Sequence, residues 1–269
     1  LGMSFGNPVI TRLPEGSSLA GRWVVLISSG YNNVPGANTQ PTATASRGGD
    51  GKGYLYVLDA TTGAVLKTYA TGEGSVTDPL NLGKVSALAV NFYYNATSTL
   101  AYIGDLRGNI WRFDLAKEPS AKGSVYKIAK LQRKTGATET GSFIDQPITT
   151  RMEIGTLPNS DEPILYVTTG QYLSLDDLTD NNVQSLYALR DPYFQYTGLP
   201  DADIPAYNAA GFYGNPRAYK TGAAQEFVKR TVVDKTVTKG GVTTTVRQIA
   251  DLATGKNVTL SGANGNAGW

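Results

Sequence analysis

The sequence predicts an all-β fold, specifically a β-propeller built from four-stranded antiparallel blades. No long stretch places apolar residues at the i, i+3, i+4 and i+7 positions of an amphipathic helix. Instead, short runs rich in β-branched and aromatic residues alternate with Gly, Asn, Asp and Pro, as in strands joined by turns. These runs recur in similar units about every 60–80 residues, and such repetition is typical of propellers.

Three continuous apolar runs mark strands that we expect to be buried on both faces of their sheets. Each run reaches a glycine at or next to its end, and the three lie at residues 24–30, 100–105 and 164–170. A companion strand follows each of them, at residues 53–59, 108–114 and 185–191. The companions all end in Asp, whose side chain can accept hydrogen bonds from the following turn.

Two further sets of strands complete the predicted blades. Lead-in strands are predicted at residues 7–12, 85–90 and 146–151. Outer strands are predicted at residues 64–69 and 125–131. Residues 1–191 are therefore expected to form three propeller blades, with blade-to-blade packing as the main source of the core.

The remaining chain, residues 192–269, is predicted to be an irregular insertion that leads to a further blade. Within it, a β-hairpin at about residues 228–249 is indicated by two β-rich runs that flank Gly240 and Gly241, a pair typical of a type I′ turn. The N-terminal residues lack the basic and apolar regions of a signal peptide. We therefore expect the chain to be a fragment, and part of a larger propeller.

Composition excludes several classes of site. The chain of 269 residues has no Cys and no His, so it has no disulfide, thiol nucleophile, zinc–thiolate site, Ser-His-Asp triad or His-ligated metal. A formal net charge of +2, without a run of Lys or Arg, does not suit a general nucleic-acid binder. No apolar stretch approaches the roughly 20 residues of a transmembrane helix.

The densest motif is the run from Gly104 to Leu115. It contains Gly104, Asp105, Gly108, Asn109, Trp111, Phe113 and Asp114. We interpret it as a tight hairpin with Gly108 and Asn109 near the turn. The alternating aromatic residues, Trp111 and Phe113, are expected to pack between blades.

Three weaker features suggest alternative chemistry. The turn from Asp59 to Gly63 resembles the repeat of pyrroloquinoline quinone propellers, but quinoprotein dehydrogenases use a vicinal disulfide that this chain cannot form. Asp176, Asp177 and Asp180 lack the alternating spacing of a calcium loop, which favours a solvated loop. Tyrosines within residues 193–219 are candidates for an adhesive surface, or else for packing on the propeller rim.

Several segments together resemble the PilC/PilY family of type IV pilus tip-associated proteins. They are ordered along residues 5–191 and comprise 5–10, 23–25, 29–33, 49–59, 104–115, 146–149, 170–173 and 183–187. Each match is weak alone, and the set is specific. The terminal Gly268 and Trp269 also resemble the start of the family's next segment.

The resemblance implies the C-terminal β-propeller of a large exported protein at the pilus tip or outer cell surface. It implies no enzymatic activity and no cofactor. Such proteins support pilus assembly and extension against retraction, twitching motility, and adhesion to host cells or surfaces. Minor pilins of the tip complex and a host-cell or surface receptor are the implied partners. The alternatives are a quinoprotein-like enzyme and a scaffold propeller in envelope assembly.

Many members of this family carry a calcium loop before the Gly-Asp-Leu strand. In this sequence the loop falls on Asn91, Tyr93, Asn95 and Thr99, which include no carboxylate. A hard divalent cation needs negatively charged oxygen ligands to replace its hydration shell. We therefore expect no metal at this loop, and we expect binding through the long connections at residues 32–52, 171–183 and 192–256.

Overall fold

The structure, a computed structural model, describes residues 1–36, 49–89, 94–135, 141–156, 161–204 and 230–251. The strands are β1 (Val9–Arg12), β2 (Trp23–Ser28), β3 (Lys52–Asp59), β4 (Val65–Gly74), β5 (Leu82–Ala89), β6 (Ser98–Asp105), β7 (Asn109–Asp114), β8 (Val125–Lys130), β9 (Gln132–Lys134), β10 (Phe143–Asp145), β11 (Glu153–Thr156), β12 (Pro163–Thr168), β13 (Leu186–Arg190), β14 (Arg230–Lys239) and β15 (Val242–Asp251). Short 3₁₀ helices lie at Leu175–Thr179, Phe194–Tyr196 and Asp201–Asp203.

Two four-stranded antiparallel sheets confirm the predicted propeller architecture. Blade 1 has the order β1-β2-β3-β4, and blade 2 has the order β5-β6-β7-β8. Each strand pairs with the next in sequence, so each blade is a meander. The β-branched and aromatic runs suit this pleated, largely buried setting.

Blade 3 is a three-stranded sheet with the order β11-β12-β13. The lead-in strand predicted at residues 146–151 is wrong, because the first strand of this sheet begins at Glu153. Pro147 has no N–H to donate to a ladder. The neighbouring Ile148 instead donates its N–H to the Asp105 carbonyl (2.9 Å), and Gly170 donates to the Pro147 carbonyl (2.7 Å). This segment therefore joins blade 2 to blade 3 without forming a strand.

The core lies between blades 1 and 2. Leu26, Leu55 and Val57 of blade 1 and Ile103 and Phe113 of blade 2 belong to one buried cluster. At its edge the Ser28 hydroxyl donates to the Gly83 carbonyl (2.7 Å). On the other side of blade 2, the Ser86 hydroxyl donates to the Met152 carbonyl near blade 3 (2.7 Å). Blade 2 is therefore packed on both sides.

The chain divides into two compact units, Leu1–Arg217 and Ala218–Trp269. In the second unit, β14 and β15 form a regular antiparallel hairpin. Gly240 and Gly241 have φ angles of 60° and 80°, and a type I′ turn requires positive values at both positions. No helix in the described part of the chain has the length and apolarity needed to cross a membrane.

Candidate binding site

The hairpin between β6 and β7 is organised by the buried carboxylate of Asp105. Its Oδ1 accepts hydrogen bonds from the backbone N–H groups of Arg107 (2.9 Å) and Asn109 (2.9 Å). Its Oδ2 accepts from Asn109 Nδ2 (2.8 Å) and Trp111 Nε1 (2.7 Å). One carboxylate thus fixes both the turn and the first residues of β7.

Burial raises the pKa of Asp105 to about 6, although hydrogen bonds from Trp111 and Asn109 act in the opposite direction. The group is ionised at neutral pH, and an ionised carboxylate is the form that accepts from several N–H donors. Gly108 has a φ angle of 75°, and a Cβ at this position would clash with the Leu131 carbonyl oxygen. The motif therefore specifies a rigid turn.

Trp111 and Phe113 pack between blades 1 and 2, as predicted. The Phe113 ring lies edge-on to Tyr69 of β4, with ring centroids 6.3 Å apart. Lys127 Nζ lies 5.3 Å from the Trp111 ring centroid and 2.6 Å from the Glu73 carboxylate of blade 1. The motif thus packs the hairpin of blade 2 against β4 of blade 1.

Arg112 lies inside a buried polar network that sequence reasoning missed. Its Nε donates to the Asp191 Oδ2 (2.9 Å), and the Tyr102 hydroxyl donates to the same oxygen (2.7 Å). Burial and the Asp191 charge both raise the pKa of Tyr102, so its hydroxyl stays protonated. The available signal was an arginine between two aromatic residues, Trp111 and Phe113, in a predicted strand.

The same network fixes the segment after blade 3 against blade 2. Arg112 donates to the Thr197 hydroxyl (2.6 Å), and the Gly198 N–H donates to the Asp114 Oδ2 (2.8 Å). Lys117 Nζ lies 2.9 Å from the Asp201 carboxylate. Burial raises the pKa of Asp114, while the Arg112 charge opposes this shift. Residues 191–204 therefore cover blade 2 and are not a free loop.

Tyr193 decides between the two alternatives for the tyrosines of this segment, an adhesive surface or packing on the propeller rim. The side chain is fully buried, and its ring stacks on Tyr126 with the centroids 4.2 Å apart. Of the two alternatives left open for these tyrosines, packing on the propeller therefore holds at this residue, because the ring stacks on blade 2. Residues 205–219 of the same prediction lie outside the described residues.

Asp59, in the turn that resembles quinoprotein repeats, has a local structural role. Its Oδ1 accepts from the backbone N–H groups of Thr62 (2.8 Å) and Thr61 (2.9 Å), and Arg22 lies 2.6 Å from its Oδ2. The Thr62 hydrogen bond and the Arg22 contact lower the pKa of Asp59 to about 2. The resemblance at this turn therefore concerns the fold.

The predicted calcium loop is only partly described. Asn91 and Tyr93 lie outside the described residues. Asn95 Oδ1 accepts from the Thr97 N–H (3.1 Å), and the Thr99 carbonyl accepts from the Leu115 N–H (2.9 Å). Within the described ranges, no three acidic residues are grouped as a metal site would need. The absence of calcium at this loop stays a prediction.

The connection at residues 32–52 is closed at its base. Asn33 Nδ2 donates to the Lys52 carbonyl (2.8 Å), and the Tyr54 hydroxyl donates to the Asp50 carboxylate (2.6 Å). This hydrogen bond to Asp50 raises the pKa of Tyr54 to about 12. The described ends of the connection are therefore anchored to β3, while residues 37–48 lie outside the described residues.

The connection between β12 and β13, residues 171–183, combines an ordered backbone with exposed apolar side chains. Asp177 Oδ2 accepts from the N–H groups of Leu173 (2.7 Å) and Ser174 (2.8 Å). Tyr172, Leu175 and Leu178 all point to solvent. The sequence drew attention to the acids of this loop, and the exposed leucines were missed because apolar residues are expected to be buried.

Comparison with known proteins decides the family. The model of the PilY1 β-propeller domain matches residues 1–198, which is more than half of the chain. The chain belongs to the PilY1 β-propeller domain family. This membership confirms the resemblance drawn from the ordered motifs, and it accounts for the four-stranded blades.

Relatives are similar over most of the chain. It is 25% identical over 201 residues to the type IV pilus biogenesis factor PilY1 homolog of Xylella fastidiosa, and 26% identical over 207 residues to the type IV pilus biogenesis factor PilY1 of Pseudomonas aeruginosa. Each match covers 71% of this chain, but only 12% and 16% of those relatives. The chain therefore corresponds to a small part of proteins of that size.

A solved structure shares the fold. The crystal structure of the Pseudomonas aeruginosa PilY1 C-terminal domain matches with a TM-score of 0.57 and 22% sequence identity. The match covers 93% of this chain and 46% of that domain. At this identity the similarity establishes the architecture and not the residues that bind.

Proposed function

We propose that this chain is a non-enzymatic β-propeller module of a type IV pilus biogenesis factor and that it acts by binding. The observation that carries the proposal is the PilY1 propeller match over residues 1–198. Relatives named as type IV pilus biogenesis factors support it. The module lies on the outer cell surface or at the pilus tip, and it needs no cofactor.

The proposed mechanism separates a scaffold from contact surfaces. Blade 2 is buried by blade 1, by blade 3 and by residues 191–204, which supports a role as rigid scaffold. The connections between strands lie at the ends of blades, where binding residues commonly sit on a fixed framework. Minor pilins of the tip complex and a surface receptor are the proposed partners, and pilus extension, twitching motility and adhesion are the proposed outcomes.

An in-frame deletion of the codons for residues 1–269 tests this function. Surface pili, twitching and adherence are measured in cells that retract pili and in cells whose retraction is disabled. We expect few surface pili in the first background and recovery in the second if the module counters retraction. Unchanged piliation, twitching and adherence, with the shortened parent protein still exported, would contradict the proposal.

Two alternatives give different results in biochemical assays. An envelope scaffold would co-purify with outer-membrane assembly components instead of pilins. A quinoprotein-like enzyme would show cofactor absorbance and dye-linked dehydrogenase activity. We expect the purified chain to retain pilins and to show neither enzymatic signal.

A further inference from the structure

The segment that follows blade 3, residues 191–204, covers blade 2 in two parts that differ in burial. We call it the covering segment, with an inner part at residues 191–198 and an outer part at residues 199–204. Asp191 and Tyr193 of the inner part are buried, whereas every residue of the outer part except the last is exposed. Water therefore competes much more strongly for the contacts of the outer part.

The inner part is fixed to blade 2 by buried charged groups. Arg112 Nε donates to Asp191 Oδ2 (2.9 Å), and both side chains are almost completely buried. The Gly198 N–H donates to Oδ2 of Asp114 (2.8 Å), whose side chain is fully buried. Separating such groups leaves a buried charge without its partner. We therefore expect the inner part to leave blade 2 only when the blade unfolds.

The outer part is bound by two lysines of the connection between β7 and β8. Lys117 Nζ lies 2.9 Å from the Asp201 carboxylate and donates to the Leu199 carbonyl (2.6 Å). Lys122 Nζ donates to the Ile204 carbonyl (2.6 Å), and the Lys122 backbone N–H donates to Asp201 Oδ2 (3.1 Å). The Asp201 side chain is 56% exposed. Ion pairs at exposed positions contribute little to stability and are screened by salt.

Ile204 reports whether the outer part lies on blade 2. Its side chain is 3% exposed. It lies close to Gly123, since a Cβ added to that glycine would be 3.1 Å from Ile204 Cγ2. The Ile204 position is thus buried while the outer part covers blade 2, and it reaches water when the outer part leaves.

We propose that the outer part, residues 199–204, is a salt-sensitive latch that opens while residues 191–198 stay on blade 2. Opening moves the last fixed point of the covering segment from Ile204 back to Gly198, which releases about 20 Å of extended chain. The chain continues from Ile204 towards the second compact unit, Ala218–Trp269. The latch therefore sets how much chain connects that unit to the blades. This inference concerns the chain itself and does not depend on the proposed function.

Cysteine labelling measures the opening, because the chain has no Cys of its own. Ile204→Cys places a thiol at the buried end of the outer part, and Ala188→Cys places one at a buried position of β13. Labelling by iodoacetamide, a neutral reagent, is compared at about 20 mM and about 500 mM NaCl, between which the Debye length falls several-fold. Each rate is normalised to that of the unfolded chain in the same salt. We expect high salt to speed labelling of Ile204→Cys about two- to fivefold and to leave Ala188→Cys unchanged.

The Asp201→Ala variant of the Ile204→Cys chain tests the ionic contact. At low salt it is expected to be labelled as fast as its parent is at high salt, because Lys117 and Lys122 then lack their carboxylate. Most of the salt dependence should be lost with it. Asp203→Ala is the matched control, because it removes an equal charge from an exposed residue of the same 3₁₀ helix. This control should keep the salt dependence of its parent.

Three labelling results would overturn the proposal. Equal rates for Ile204→Cys and Ala188→Cys would show that the outer part leaves only on global unfolding. A rate for Ile204→Cys that does not change with salt would exclude a salt-sensitive latch. An equal loss of salt dependence in the Asp201→Ala and Asp203→Ala variants would show that the specific contact to the lysines is not responsible.

Hydrogen exchange repeats the salt comparison in the unmodified chain, and it decides the result if a cysteine variant is less stable than its parent. The reporter is the Asp203 amide, which donates to the Pro200 carbonyl (3.0 Å) in the outer part. We expect it to exchange several-fold faster at high salt while the amides of β7 are unchanged. An Asp203 amide whose exchange relative to β7 is the same at both salt concentrations would overturn the proposal.

Discussion

Blades 1 and 2 have the same strand order but occupy different surroundings. In β7 of blade 2 every residue is buried, whereas buried and half-buried residues alternate in β3 of blade 1. The half-buried set includes Tyr54, Tyr56 and Leu58, which share the face of blade 1 that points away from blade 2. Identical topology therefore produces a strand buried on both faces in one blade and a strand with one half-buried face in the other.

The aspartates that end β3 and β7 show what the surroundings change. Asp59 accepts from its own turn and from a half-exposed Arg22, and its pKa is lowered. Asp114 accepts from the following turn in the same way, yet burial raises its pKa. The covering segment, through Gly198, removes Asp114 from water. The position of the aspartate at the end of its strand thus determines the turn, and the packing around its side chain determines the direction of its pKa shift.

The largest expected effect is the loss of stability when the buried arginine of blade 2 is replaced, compared with the half-exposed arginine beside blade 1. Arg112→Met would leave Asp191 and Asp114 buried without their cation, which costs about 3–5 kcal/mol for a buried pair. Arg22→Met is the matched change in blade 1, and a far smaller loss is expected because Arg22 is half exposed. Urea unfolding of both variants measures the difference. Equal losses would show that blade 2 is not the more buried blade.

Asp105→Asn tests the hairpin of blade 2. The amide replaces one acceptor oxygen by a donor, so two of the N–H groups that now bind Asp105 lose their partner. We expect a loss of about 2–3 kcal/mol in the free energy of unfolding, since each unsatisfied buried donor costs roughly 1–3 kcal/mol. Denaturant unfolding checks this value. A change within about 0.5 kcal/mol, as for ordinary surface sites, would refute the role of this carboxylate.

The pH dependence of stability tests the same group in another way. The folded pKa of Asp105, about 6, lies above that of an unfolded aspartate. The folded state therefore binds more protons between these values, and the contribution of Asp105 to stability falls as the pH rises through this window. Asp105→Asn should lack that part of the pH dependence. Parallel profiles for the two proteins would contradict the raised pKa.

In blade 1, the contribution of Asp59 to stability is expected to depend on pH with the opposite sign, and Asp59→Asn tests this. Because the folded pKa of Asp59 is about 2, its contribution is complete above the unfolded pKa and is lost as the pH falls toward 2. Melting temperatures measured from pH 5 to pH 2 should show the wild-type and variant proteins converging in acid. A constant difference across that range would argue against the ionised contact with Arg22.

A small effect is expected on the face of blade 1 that points away from blade 2. Trp23 is half exposed in β2, so Trp23→Ser should change the free energy of unfolding by no more than about 1 kcal/mol. Its main consequence should be higher solubility, because an exposed aromatic residue is removed from an apolar face. Static light scattering at high concentration measures this. A loss above about 3 kcal/mol would indicate that Trp23 is packed.

Much of the fold follows from local sequence patterns. The apolar run that reaches Gly104 predicted β6, and the alternation of Trp111 and Phe113 predicted packing between blades. The two glycines at 240 and 241 predicted a hairpin turn. These features depend on residues that are close together in sequence, so one sequence, without aligned homologues, is enough to predict them.

The polar network and the contact surface depend on distant residues. Arg112 meets Asp191 only because blade 3 returns the chain to blade 2, and no local pattern reports a contact across 79 positions. For the same reason the sequence left open whether Tyr193 is exposed or packed, and the structure shows that it is buried. The exposure of Leu175 likewise requires the structure, because leucine composition alone indicates core.

Strand-resolved hydrogen–deuterium exchange of the whole chain is the most direct test that blade 2 is the buried scaffold. The slowest exchange is predicted for the amides of β6 and β7, which open only with global unfolding. The amides of β1 and of the 171–183 connection should exchange earlier. Protection of β1 equal to that of β6 and β7 would contradict the assignment of blade 2 as the buried scaffold.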